Sequence, residues 1–298
     1  MKANEYLNCT LCARACGVDR RTSRGFCGMG CVPTVARAAL HAWEEPPISG
    51  TRGSGAIFFS GCSLSCVFCQ NREISRGRFG IPVSADRLCE VMLELSLRGA
   101  HNINFVTPTH FIPSVREAII SARARGLDIP IVYNTGSYDS VSALRTLDGL
   151  VDIYLPDLKY YTARSARLSS AHDYPEVARA AIGEMVRQTG PAVFDSEGIM
   201  MRGTLVRILL LPGHVAEAKL SLKYIHDTYR DDVFISLMSQ YTPMPGMKSP
   251  LDRAVTREEY RQLVDYAERL GVKNCFIQEL TSSGECFIPD FDGTGINL

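Results

Sequence analysis

The sequence carries no excess of charge: 32 Lys and Arg stand against 32 Asp and Glu, for a formal net charge of +0. Without a basic field to gather phosphates or anionic lipid, neither nucleic acid nor a membrane surface is expected as a partner. No apolar stretch near Met1 reads as a secretory signal, and no apolar run is long enough to cross a bilayer. The expectation is a soluble, cytoplasmic chain. Paired cysteines are missing too. Eleven is an odd count, and without a secretory signal a disulfide framework does not account for so many. Thiolate ligation of metal does.

The 298 residues are 46% hydrophobic and 21% charged, enough for a sizeable core in one large domain plus an appendage. Eight of the eleven cysteines fall within the first 69 residues; only Cys89, Cys275 and Cys286 lie beyond. Residues 1–48 read as a cysteine-rich, metal-binding segment, closed by Pro46-Pro47 and a glycine-rich turn from Gly50 to Gly55. In residues 49–298, short apolar or β-branched runs alternate with amphipathic stretches, the pattern of βα units and a parallel sheet. Strands are expected at 56–60, 102–106, 130–134, 151–155, 205–211, 233–238 and 274–278. A helix is expected over 84–98, where Leu88, Val91, Met92 and Leu95 share a face. Another starts at Thr256, where Glu259 completes a capping box. The fold class is therefore α/β, a partial (β/α) barrel of six to seven parallel strands, with a flat doubly wound sheet as the alternative. In either, chemistry gathers beyond the C-terminal strand ends.

Directly after the first expected strand comes Cys62-x3-Cys66-x2-Cys69, with Phe68 before the last cysteine. One loop of this spacing wraps three corners of a cubane. A [4Fe–4S] cluster normally takes four thiolates, so one iron is left open to a further ligand. A zinc loop, or a redox pair at Cys66 and Cys69, is the competing explanation, but no neighbouring histidine supplies a fourth zinc ligand. At the front, Cys9, Cys12, Cys16 and Cys27 are spaced to close on a structural zinc or a second iron–sulfur cluster, with Cys31 as spare or substitute. The sequence does not choose the metal. Cys89 and Cys275 fall within expected elements and read as core residues.

The loop at 62–69 resembles the defining motif of the radical S-adenosylmethionine (SAM) superfamily. Nearly the whole chain resembles its pyruvate formate-lyase-activating-enzyme-like branch. The further pieces are Cys9-x2-Cys12-x3-Cys16 with Gly25-Phe-Cys27-Gly28, Trp43-Glu-Glu-Pro46, Gly53-x-Gly55, Cys69-Gln-Asn71, Thr107-Pro-Thr-His110, Pro156-Asp-Leu-Lys159 and Ser239-Gln-Tyr-Thr242. The resemblance implies that a [4Fe–4S] cluster on Cys62, Cys66 and Cys69 binds SAM and cleaves it reductively, and that the resulting 5′-deoxyadenosyl radical takes hydrogen from a substrate. In that branch the substrate is the backbone glycine of a glycyl radical enzyme. Modification of a peptide or small metabolite by the same radical is a second reading, and a non-catalytic iron–sulfur or zinc protein a third. Flavodoxin or ferredoxin would supply the electron.

The same resemblance assigns cofactor-binding residues to the strand ends, with Phe68 on the cluster loop. Thr107, Thr109 and His110 stand where many radical SAM proteins carry a Gly-Gly-Glu segment for the methionine amino group, a departure from the pattern. Asn134 and Thr135 follow the third strand. Asp157 and Lys159 match an Asp-Leu-Lys element that reaches the methionine carboxylate and ribose, and Thr135 with Asp157 would hold a monovalent cation beside SAM. Arg207 would contact the cofactor; independently of any resemblance, an ionised group inside Leu205–Leu211 needs an acidic or hydroxyl partner. Tyr241 stands where the branch places a histidine against adenine, and Gln240 beside it is counted with the cofactor-binding residues. The histidines other than His110 have no ligand spacing and receive no catalytic role.

Overall fold

The structure is a computed structural model that describes residues 3–278 and 289–296; Cys286 lies outside them. Its strands are β1 (Thr34–His41), β2 (Ser54–Phe59), β3 (Ile81–Pro82), β4 (Ile103–Val106), β5 (Ile131–Thr135), β6 (Ile153–Pro156), β7 (Val193–Phe194), β8 (Met200–Leu209), β9 (Phe234–Met238) and β10 (Cys275–Ile277). Seven of them run parallel, in the order β2-β4-β5-β6-β8-β9-β10. The fold is α/β, a partial (β/α) barrel behind a cysteine-rich N-terminus. Strand β1 adds antiparallel to β2, with Val35 opposite Phe59 and His41 opposite Ser54. Among the described residues β10 and β1 are not paired, so the barrel stays open on that side. The chain after β10 returns to β1, where Gly293 N–H donates to the Ala36 carbonyl at 2.9 Å and Ala38 N–H to the Thr294 carbonyl at 2.8 Å.

Every residue of β2, β4, β5 and β6 is buried, which is why these strands read as continuous apolar runs rather than alternating ones. Phe59, Phe105, Tyr133 and Tyr154 pack with Leu88, Val91, Met92 and Leu95 of the helix Ala85–Leu97 and with Val115 and Ile119 of the helix Ile112–Ala124. Ser84 caps the first of these helices by accepting from Arg87 N–H. Thr256 and Glu259 form a reciprocal capping box on the helix Arg257–Leu270, which Gly271 ends in a left-handed conformation.

A separate inner cluster joins Val132, Ile153, Leu155 and Leu205 to Ile48, from the short helix Pro46–Ser49. Burial of each such side chain stabilises by about 2 kcal/mol. Val132, Leu155 and Leu205 each stand two residues before Asn134, Asp157 and Arg207, so apolar packing fills the layer beneath the polar groups at the strand ends. The front segment packs on the same body. Tyr6, Cys9, Leu11, Cys27 and Met29 share a core with Phe105 and Phe111, and Cys12 bridges antiparallel to Asp139 just beyond β5. Among the described residues, no helix is long and apolar enough to cross a membrane.

Candidate cofactor site

Strand β2 ends in a turn at Gly61, with φ +85°. A Cβ there would lie 2.4 Å from Met29 Cγ and 2.7 Å from the Cys27 carbonyl oxygen, so only glycine lets the following loop press against the front segment. Arg14 Nε reinforces the contact by donating to the Ser63 carbonyl at 2.9 Å. On its other side the loop is pinned by Ser65 N–H to the Ser169 carbonyl at 3.1 Å and Val67 N–H to the Leu168 carbonyl at 2.9 Å. Cys66 Sγ lies 2.8 Å from Ser169 Oγ.

Cys62, Cys66 and Cys69 line one cavity of about 240 Å³. Burial pushes the Cys62 thiol well up, and the neighbouring Cys66 and Cys69 add to it. Burial also raises Cys66, against the pull of Lys159. Buried thiols in one another's field become thiolates only beside a cation. The irons of a cluster supply that cation, and the donor set suits one: three thiols from a single loop, with no further cysteine among the described residues of the cavity wall.

Phe68, Thr107, Asn134, Thr135, Asp157, Lys159, Arg207, Gln240 and Tyr241 line the same cavity. Arg207, inside β8, is its electrostatic hub: Nε donates to Asp157 Oδ1 at 2.8 Å and Nη2 to Asn134 Oδ1 at 2.6 Å. Lys159 Nζ takes the other Asp157 oxygen at 2.5 Å. Burial works to raise the Asp157 carboxyl, but Arg207 and Lys159 outweigh it and hold it below its ordinary value. Lys159 is raised: burial opposes its charge, and Asp157 more than restores it. The Tyr241 ring stands 6.2 Å from Phe68, centroid to centroid, and its hydroxyl donates to the Leu251 carbonyl at 2.6 Å.

Thr109 and His110 are not among the lining residues of that cavity. Thr109 Oγ1 is buried 3.4 Å from Thr135 Oγ1, and His110 Nε2 lies 2.7 Å from the Ser60 carbonyl. The side chains of Thr135 and Asp157 belong to separate networks, since Thr135 Oγ1 donates to Asp139 Oδ2 at 2.6 Å. Their backbones meet where Asp157 N–H donates to the Thr135 carbonyl at 2.9 Å.

Sequence reasoning assigned no role to Glu44, which reaches the cavity from the connection between β1 and β2. Asn104 and Asn134 donate to its Oε1 at 3.0 and 3.3 Å, and Arg207 Nη1 to Oε2 at 3.5 Å. Its neighbour Glu45 is also buried, with no partner on Oε2. Burial lifts Glu45 to about 7, with Arg207 opposing and Glu44 adding. The available signal was the pair of acids before Pro46-Pro47, together with an arginine in an apolar strand that needed an anion.

In the front segment Cys9, Cys12 and Cys27 are buried and Cys16 is exposed. Cys12 lies within the field of Cys9 and Cys27, and Cys27 within that of Cys9 and Cys16. Cys31 acts on Tyr6 and Arg21 instead. Among the described residues, no three His, Cys, Asp or Glu side chains converge at single-ion ligand distance. The thiolates of a cubane, each on its own iron, stand further apart than those of a tetrahedral ion.

No protein-family model matches the chain. An uncharacterized protein of Methanocaldococcus jannaschii, MJ0674, is 27% identical over 278 residues, covering 89% of this chain and 76% of that protein. Among solved structures, Streptococcus suis SuiB bound to S-adenosylmethionine matches with a TM-score of 0.51 and 11% identity over 73% of this chain. SuiB bound to its precursor peptide SuiA matches with the same score and identity. The chain spans about half the length of SuiB, 48% and 46% in the two structures. At this identity the likeness is one of fold.

Proposed function

We propose that the chain is a radical SAM enzyme. Cys62, Cys66 and Cys69 hold a [4Fe–4S] cluster, and SAM occupies the cavity beside them. The observation that carries this reading is the opening of the three-cysteine loop onto the same cavity as the Glu44, Asp157, Lys159 and Arg207 network. An amino-acid cofactor presents an ammonium and a carboxylate, and such a network offers both signs of charge. When bound, the cluster and SAM supply reductive cleavage to methionine and a 5′-deoxyadenosyl radical that abstracts hydrogen from substrate.

The chain's own tasks are ligation, orientation and exclusion of water. Lys159 and Arg207 donate to carboxylate or ribose oxygens, and Glu44 accepts from an ammonium or hydroxyl. Phe68 and Tyr241 give the base an aromatic wall. Thr107 and Asn134 add polar contacts beside it. A low-potential flavodoxin or ferredoxin delivers the electron. For the substrate, resemblance to the activating enzymes favours a protein backbone glycine, and the likeness to SuiB, solved with a precursor peptide, favours a peptide.

The test is anaerobic reconstitution with iron and sulfide, followed by dithionite and SAM. 5′-Deoxyadenosine is the expected product, lost on Cys62→Ala, Cys66→Ala or Cys69→Ala and retained on Cys89→Ala, a buried residue of the helix Ala85–Leu97. A protein that loads a cluster whose spectrum does not respond to SAM would be an electron carrier instead. A stable glycine-centred radical on an added glycyl enzyme separates activation from peptide modification.

A further inference from the structure

Arg20 is buried to 1% exposure in the front segment, and among the described residues no carboxylate pairs with it. Its guanidinium donates to three backbone carbonyls, that of Met29 at 3.2 Å and those of Gly30 and His110. It also lies over the rings of Tyr6 and Phe111. Carbonyls and rings satisfy N–H groups without neutralising the charge, and a buried charge without a counter-charge is costly.

Besides the Tyr6 phenol and the His110 imidazole, the ionisable groups gathered around it are thiols. Cys9 Sγ stands 3.9 Å from Nη1. At Gly25, a Cβ would meet Cys16 Sγ at 3.4 Å, Cys27 Sγ at 3.5 Å and Arg20 Cδ at 3.7 Å, so these three side chains surround one point. Two tight turns present the cysteines: Ala15 N–H closes on the Cys12 carbonyl at 3.0 Å, and Gly28 N–H on the Gly25 carbonyl at 2.9 Å.

We propose that Cys9, Cys12, Cys16 and Cys27 bind a second metal centre as four thiolates, with Arg20 as its buried counter-cation. Either a divalent zinc or a [4Fe–4S]²⁺ core inside four thiolates is doubly negative, the charge that Arg20 otherwise lacks, and the spread of the thiols beyond single-ion distance favours the cluster. With four protein ligands the shell is closed, so the centre is structural or electron-relaying. Arg20 is a positioning residue that acts on the metal through the thiolates.

The test uses the full chain carrying Cys62→Ala, Cys66→Ala and Cys69→Ala together, so that any metal left belongs to the front segment whatever becomes of the SAM reading. Purified anaerobically, it should hold about one zinc, or about four iron with four sulfide, per chain. Cys16→Ser, at the exposed ligand, should empty it without disturbing the core, and Cys31→Ala should not. Arg20→Met should speed metal loss to a chelator by about 10–100-fold, and Arg20→Lys should restore most of the retention. A triple variant holding neither zinc nor iron overturns the site, as does retention after Cys16→Ser. Equal loss from Arg20→Met and Arg20→Lys overturns the counter-cation.

Discussion

Arg207 Nε donates to Asp157 Oδ1 at 2.8 Å across two neighbouring parallel strand ends, with the Arg207 side chain 13% and the Asp157 side chain 20% exposed. The pair is mostly desolvated, and Asp157 is the shared anion of two cations, since Lys159 holds its other oxygen. Asp157→Asn would leave Lys159 without its partner and Arg207 with Glu44 at 3.5 Å and the field of Glu45. Breaking a buried pair from one side costs about 3–5 kcal/mol. Denaturant titration of Asp157→Asn should show a loss of that order, partly recovered by adding Lys159→Met. A loss below about 1 kcal/mol would mean that the network behaves as an exposed surface pair.

Much of this architecture was legible because parallel strands write themselves as apolar runs. The run expected at 102–106 is β4 at Ile103–Val106, and that at 233–238 is β9 at Phe234–Met238. The turn after the first run carried the cysteine spacing, so the loop could be placed before its geometry was known. Strand β1 was not legible: Val35-Ala-Arg-Ala-Ala-Leu-His41 is rich in small residues that mark neither period, and β1 is defined by its pairing with β2 and with residues 293–294. Glu44 and Glu45 were read as part of a motif without a role, because their burial depends on the helix Pro46–Ser49 entering the barrel. No local pattern encodes that. Arg20 was missed for a similar reason: one of three arginines in a polar stretch, it looks solvated until Tyr6, Phe111 and the His110 carbonyl close over it.

His110 should make stability fall on mild acidification. Burial, aided by Arg20, lowers its pKa to about 3. Nε2 meets the Ser60 carbonyl, and Nδ1 is buried without a partner. The unfolded chain takes up this proton near pH 6.5 and the folded one does not, so the folded state is favoured in full above that pH. It then loses about 1.4 kcal/mol per unit as pH falls toward 3. His110→Gln keeps a donor for the Ser60 carbonyl and removes the titration. Urea midpoints between pH 7.5 and 5.5 should therefore fall less steeply in the variant than in the native chain. Parallel slopes would show that His110 does not carry the effect.

Thr107 holds a left-handed backbone, φ 61°, at the end of β4 and at the wall of the cavity. A β-branched residue there is strained by about 1–3 kcal/mol and persists only where its surroundings fix it. Its amide is fixed, donating to the Asn134 carbonyl at 2.8 Å. Glycine adopts this conformation without penalty, so Thr107→Gly should raise the unfolding free energy by about 1 kcal/mol after its own entropic cost. The same change removes a hydroxyl from the cavity wall and frees the peptide that carries it, so SAM should bind several-fold more weakly. The two effects have opposite signs and are read by separate measurements, denaturant titration and equilibrium binding to the reconstituted protein. Weaker binding without gained stability would mean that Thr107 serves the site without straining the fold. Gained stability with unchanged binding would remove Thr107 from the cofactor contacts altogether.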